Sequence, residues 1–431
     1  MEAIDRTRQP QVKEMEHLSI RYPRPIVMPN RVTLHVLDIG DSEVVRMDFL
    51  VGGGRWAQRQ PLQALFTNRM LREGTRRFTA ARLAETLDYH GAWLELSNAA
   101  EYSFLTLHSL NKYLPQTLEV LESMLKEPLF PEEELKVVVD NNVQQFLVNS
   151  SKVDFLAHRA LLKAVYGGEH PCGRLIQRED YEAIDTGLLR EFYDRHYHSD
   201  NLTIYLSGRV TDETLRRVEE CFGRESFGTC LTSPEKREYP ILTDRATRHF
   251  VELPGAMQSG VRMGSLSVAR NHPDYLKTRV LITLFGGYFG SRLMSNIREE
   301  KGYTYGIAAG IIPYPDSGLL VINAETTNEW VEPLIAEVYH EMDRLRNDLV
   351  SEQELTVVKN YMMGEMCRSC ESAFSLADSW ISIRTSGAAD TYYRDAVEAI
   401  RSITPAEIRD LAIRYLRKEE MKEAVAGEGR A

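Results

Sequence analysis

Long stretches of this sequence repeat one another. ELKVVVDN at 134–141 returns as ELTVVKNY at 354–361, and ARLAETLDYHGAWLEL at 81–96 returns as SRLMSNIREEKGYTYG at 291–306. IDTGLLREFYDRHY at 184–197 is echoed by SITPAEIRDLAIRYL at 402–416. A period of about 210 to 220 residues lies far beyond the roughly 20–50 of solenoid repeats, so the chain reads as two tandem copies of one domain-sized unit. Its 431 residues also exceed what a single core usually holds. The stretch from Gly228 to Arg248, with Ser233, Pro234, Pro240 and a run of charges, is the expected linker. The pattern predicts an N-terminal arm over 1–24, a first unit over 25–235 and a second over 236–431.

Within each unit strands alternate with helices. Thr79 is placed to cap a helix from Ala80 to His90 that buries Leu83 and Leu87, and Gly91 ends it in the left-handed conformation that glycine tolerates. Trp93 to Ser97 and Tyr102 to His108 read as strands, followed by a helix with Leu114, Leu118, Leu121 and Leu125 at helical spacing. Ser351 and Glu354 have the spacing of a capping box. The expected fold is α+β, with two homologous units, each a mostly antiparallel sheet with helices packed on one face.

Residues 61–75, PLQALFTNRMLREGT, resemble the zinc-binding helix of the pitrilysin/insulinase peptidases, the inverzincins, in which H-x-x-E-H runs on into M-L-x-x-G-T. Met70, Leu71, Gly74 and Thr75 keep the tail. Counting back, Leu65 and Arg69 stand at the two histidine positions and Asn68 at the glutamate that would activate water. Leucine offers no lone pair, arginine carries a fixed positive charge, and an amide is too weak a base. The family's third ligand, a glutamate about seventy residues on, falls to within one residue on Asn142 in EEELKVVVDNNVQQFL. The resemblance therefore implies no catalytic residue and no metal ligand here. His196 and His198, two apart in FYDRHYHSDN, have no third ligand near them and read as structural.

A second motif, LFGGYFGSRLMSNIREEKGYTYG at 284–306, resembles the family's glycine-rich segment followed by an arginine and a tyrosine seven residues apart, here Arg298 and Tyr305. Arg298 is expected near a helix end, Gly302 to break the helix, and Tyr305 to stand on the next strand, so that the two side chains converge. The resemblance implies that they support the transition state at a zinc held by another subunit, the guanidinium toward substrate carbonyls and the phenol toward the oxyanion. A solvated helix face and a packing tyrosine are the plain alternative. Gly286 and Gly287 either let a peptide approach the backbone or permit a tight turn. LSNAAE at 96–101 resembles the family's edge strand that pairs with extended substrate, or simply finishes a sheet.

A net charge of -11 argues against a nucleic-acid binder and tilts any substrate preference toward basic peptides. No run approaches the 18 or so apolar residues of a membrane span, and the polar opening MEAIDRTRQPQVKEMEH is no signal peptide. Five cysteines without framework spacing, Cys172, Cys221, Cys230, Cys367 and Cys370, suit reduced thiols in the cytoplasm. The combined expectation is a non-catalytic, substrate-binding and oxyanion-assisting subunit, similar to the Arg/Tyr-bearing partner of two-chain bacterial peptidases and to the processing-peptidase alpha subunit. It needs no cofactor itself. Its expected partners are a homologous zinc-bearing subunit and peptide substrates, with a homodimer left open and no nucleic acid or membrane. The alternative is a structural or peptide-binding protein of the same fold with no part in proteolysis.

Overall fold

Alternating apolar residues in VVRMDFLV and YSFLTLHSL set the first sheet, because a period of two puts every second side chain on one face. It comprises β1 (Arg24–Val27), β2 (Thr33–Asp38), β3 (Val44–Gly52), β4 (Trp93–Asn98), β5 (Tyr102–Leu110) and β6 (Leu202–Gly208). Their order is β1-β2-β6-β3-β5-β4, with β2 and β6 parallel and the other pairs antiparallel. The computed structural model describes residues 7, 20–40, 42–228 and 238–429. Most of the expected arm, the 235/236 boundary, and Cys230, Ser233 and Pro234 lie outside them.

One face of this sheet carries the helices of the first half: α1 (Gln63–Met70), α2 (Ala80–Tyr89), α3 (Leu114–Lys126), α4 (Glu132–Ser150), α5 (Val153–Tyr166), α6 (Arg178–Glu182), α7 (Thr186–His196) and α8 (Asp212–Phe222), with α5 the exception. Phe49, Phe66, Leu118, Phe192 and Phe222 are fully buried in their common core. Thr79 caps α2 by accepting from the Arg82 amide, and Gly91 follows it at φ +62°, as the sequence predicts.

The second sheet repeats the plan. β7 (Arg248–Glu252), β8 (Gln258–Ser267), β9 (Thr304–Pro313), β10 (Gly318–Thr327) and β11 (Lys422–Gly427) lie in the order β7-β11-β8-β10-β9, again with one parallel pair, β7 and β11. Strand for strand this is the first sheet without β1. Its helices are α9 (Tyr275–Ile282), α10 (Val331–Asn347), α11 (Glu352–Arg368), α12 (Ala373–Thr385), α13 (Tyr392–Ser402) and α14 (Pro405–Tyr415), joined by π-helical turns at Thr283–Gly287 and Met294–Glu300. The wider π turn adds a residue per turn and is a frequent companion of functional sites.

The two-unit α+β plan stands, with one addition: each sheet receives a helix from the other half on its remaining face. Leu376, Ala377, Trp380 and Ile383 of α12 pack on Leu37, Leu50 and Tyr205 of the first sheet. Leu161, Val165 and Tyr166 of α5 pack on Leu319, Val321 and Ala424 of the second. The exchange makes each half the cover of the other, and each large apolar side chain so buried contributes roughly 1.5–3 kcal/mol. The described part of the expected linker is also tied down, since Leu242 and Asp244 donate backbone hydrogen bonds to Tyr166 and Ala164 of α5.

A second departure concerns Ser351 and Glu354. Ser351 caps α11 through the Glu354 amide, but the Glu354 carboxylate does not return the bond. It accepts a two-pronged pair from Arg292 at 2.8 and 2.9 Å, because a charge-assisted fork outweighs a neutral capping contact.

Candidate functional site

Two of the four expected metal positions are in direct contact. α1 and α4 cross so that Arg69 donates from Nη1 to Oδ1 of Asn142, while Asn142 Nδ2 is held by the Val138 carbonyl at 2.6 Å. A guanidinium and an amide thus meet at two of the positions that the sequence resemblance assigns to metal ligands. Burial pushes the Arg69 pKa below its usual value, Tyr181 opposes the shift and Arg72 adds to it. Leu65 packs against the first core.

Asn68, at the expected base position, is built into the fold. It is 1% exposed, its Nδ2 donates to the Ser97 and Phe104 carbonyls at 2.7 and 3.1 Å, and its Oδ1 accepts from the Tyr197 hydroxyl at 3.1 Å. Ser97 and Phe104 are register partners in β4 and β5, so this side chain clamps the edge of the sheet to α1. The donor set does not fit zinc: one side chain has no lone pair, one is a cation already satisfied by an amide, and the amides are turned to protein partners. Among the described residues no three His, Cys, Asp or Glu side chains lie close enough together to hold a metal.

The edge segment divides in two. Leu96 to Asn98 belong to β4, which lies at the sheet edge, but Ala99, Ala100 and Glu101 accept backbone hydrogen bonds from Arg55, Trp56 and Gly53. A Cβ on Gly54 would come within 2.5 Å of the Ala99 and Ala100 carbonyls, so glycine is needed for that close approach. The open edge is therefore shorter than LSNAAE suggests. His196 and His198 are buried and structural: His196 Nδ1 lies 3.2 Å from the Gly52 carbonyl, and burial lowers its pKa to about 4. The described cysteines form no disulfide with one another, and burial raises the Cys172 thiol to about 12 and the Cys221 thiol to about 11.

In the second half, the local order helix, glycine, strand brings Arg298 and Tyr305 together. Arg298 lies in the π turn Met294–Glu300, Gly302 takes φ +66°, and Tyr305 is the second residue of β9. The guanidinium carbon sits 5.4 Å from the centre of the Tyr305 ring and 4.7 Å from that of Phe289, within cation–π range. Tyr305 is 91% exposed and Phe289 63%. Among the described residues the nearest carboxylate to Arg298 is that of Glu299, at 3.9 Å, too far for a hydrogen bond, so the guanidinium can donate outward. Beside Tyr305 opens a cleft of about 640 Å³ whose lining includes Arg262, Glu325 and Trp330.

Gly286 has a different use from the one that approach of a peptide would require. A Cβ there would lie 2.6 Å from Ala309 Cβ and 2.9 Å from Leu293 Cδ1, so its small size lets the π turn Thr283–Gly287 press onto β9. Gly287 is exposed, and its Cβ would reach no atom closer than 3.3 Å. Phe289 went unnoticed in the sequence. Its signal was an aromatic between Tyr288 and Gly290 in a glycine-rich stretch, where an apolar ring has little core to enter.

Residues 62–177 match the family described as insulinase (peptidase family M16), and residues 183–362 match the one described as peptidase M16 inactive domain. A Bacillus subtilis (strain 168) protein named as an uncharacterized zinc protease, YmxG, is 26% identical over 354 residues, 81% of this chain and 83% of that one. A Helicobacter pylori protein named as a non-peptidase homolog, YmxG, is 23% identical over 280 residues, 63% of this chain and 62% of that one. The crystal structure of a peptidase M16 inactive domain from Pseudomonas fluorescens superposes with a TM-score of 0.83 at 21% identity, covering 95% of this chain and 99% of that chain. Two matching halves, a shared fold and the surviving frame of the metal helix lead to one conclusion: the chain belongs to peptidase family M16, the insulinase family.

Proposed function

We propose that this protein is the non-catalytic subunit of a two-chain zinc peptidase, binding peptide and lending Arg298 and Tyr305 to a reaction whose metal and general base sit on a homologous partner. The observation that carries the reading is the contrast between the two halves. Asn68, Arg69 and Asn142 are consumed by internal hydrogen bonds, whereas Arg298 and Tyr305 converge at the surface beside an open cleft. An always-charged guanidinium suits substrate carbonyls, and an exposed phenol suits a developing oxyanion. Neither supplies a nucleophile, so zinc belongs to the partner. The name of the Helicobacter pylori relative, a non-peptidase homolog, accords with loss of activity in the chain alone.

No helix among the described residues is long and apolar enough to cross a membrane, and the thiol usage supports a cytoplasmic location. The test is co-purification followed by reconstitution. A partner bearing H-x-x-E-H should be captured, and peptide hydrolysis should need both chains. Arg298→Ala or Tyr305→Phe should cut turnover about a hundredfold while assembly is unchanged. Unaltered turnover would remove the supporting role, and chelator-sensitive hydrolysis by the isolated chain would overturn the whole reading.

A further inference from the structure

The cleft beside Tyr305 continues past it. Two neighbouring hollows, of about 700 and 420 Å³, share lining residues with it: Gln258 and Glu325 join it to the larger, and Arg262 and Asn323 join it to the smaller. Together they form one groove between the second sheet and the start of α5, running from Tyr305 to His158. We infer that the inner end of this groove is a receptor for the free C-terminal residue of a peptide, with Arg262 holding the carboxylate and apolar walls holding the side chain. The inference rests on the peptide-binding role proposed above and names the chemistry of the peptide's end.

Arg262, on β8 opposite Asn323 of β10, is the central observation. Its Nη1 is spent on the Val261 and Ala324 carbonyls at 3.1 and 3.2 Å. No carboxylate among the described residues comes within ion-pair distance of it. Asp154 and Glu325 act on it from further off, and burial outweighs them, lowering its pKa. By contrast, Arg248 and Arg292 in the same half each carry a carboxylate in direct contact. The remaining guanidinium edge is therefore available to an incoming anion.

The surroundings agree in sign and shape. The inner hollow is lined by Lys152, Asp154, His158 and Arg262, while Glu325 lines only the outer two, so formal charge at the inner end is positive. α5 begins there with Lys152 as its cap residue and no side-chain cap, so its first amides add partial positive charge. The helix start is held against β8 so closely that a Cβ on Gly260 would lie 2.6 Å from the Val153 carbonyl. Burial and Arg262 keep His158 below its usual pKa, neutral near pH 7 and able to donate one hydrogen bond. Phe155, Ile312 and Val321 supply the apolar wall. Only a C-terminal residue presents a carboxylate and an apolar side chain on one Cα. An internal Asp or Glu would leave that wall unused. The local preference is thus opposite to the one the net charge of -11 suggested.

The experiment is fluorescence anisotropy on the full chain with N-terminally labelled octapeptides ending in leucine, either as the free acid or as the amide. The free acid should bind at least about tenfold more tightly, as one charge-assisted contact implies. Arg262→Met should bring the two peptides to within about twofold of each other, and Arg262→Lys should restore part of the preference. Lys152→Gln, on an exposed residue whose loss leaves the core intact, should weaken it a few-fold. Equal binding of acid and amide, binding of neither, or a preference that survives Arg262→Met would each overturn the inference. None of these depends on turnover, so the Arg298 test can fail while this one succeeds, and the reverse.

Discussion

Replacing Asn68 by alanine tests whether the former base position has become structural. Asn68 makes three hydrogen bonds in a fully enclosed position, two to the β4 and β5 carbonyls and one from Tyr197. At about 1 kcal/mol each, net of solvation, their loss should destabilise the fold by about 3 kcal/mol. Tyr197→Phe removes the shared bond and should cost about 1 kcal/mol. Because that bond is counted in both single variants, the double variant should cost about 3 kcal/mol rather than 4, a coupling of about 1 kcal/mol. Urea denaturation gives the free energies, and amide hydrogen exchange over 93–110 should quicken locally, since the clamp holds that edge. A cost below about 1 kcal/mol for Asn68→Ala, or strict additivity in the pair, would refute the clamp.

Two further perturbations follow from the same geometry. His196 is neutral in the fold, with a pKa lowered by burial from 6.5 to about 4, so the unfolded chain takes up a proton first as pH falls; its contribution is complete above pH 6.5 and shrinks toward pH 4, a loss of about 2 kcal/mol between pH 7.5 and 5. Thermal unfolding across that window should show it, and His196→Asn should flatten the slope. Gly286→Ala should destabilise by about 2 kcal/mol through overpacking against Ala309, whereas Gly287→Ala, with its nearest contact at 3.3 Å, should cost clearly less; equal effects would contradict the packing role.

Features that depend on a few consecutive residues were legible beforehand. The Thr79 cap, the left-handed Gly91, the helix break at Gly302 and the seven-residue step from Arg298 to Tyr305 all follow from local backbone preferences, and the structure places each where the pattern does. Arg69 and Asn142 were found through the motif frame, but not their mutual bond, because their elements are 73 residues apart. Glu354 shows the limit from the other side. Its capping pattern is real, yet Arg292, 62 residues away, offers its carboxylate a stronger partner.

The amino-acid order determined the duplication, the strand and helix periods, and the chemical poverty of Leu65, Asn68 and Arg69 as a metal site, since side-chain type alone settles what can donate a lone pair to zinc. Tertiary structure alone decided that Asn68 clamps a sheet edge, that α5 and α12 cover each other's sheets, and that Arg262 faces a groove with no carboxylate of the described residues in contact with it. Those outcomes turn on which surfaces meet across hundreds of residues of chain, and burial, not local propensity, selects the meeting.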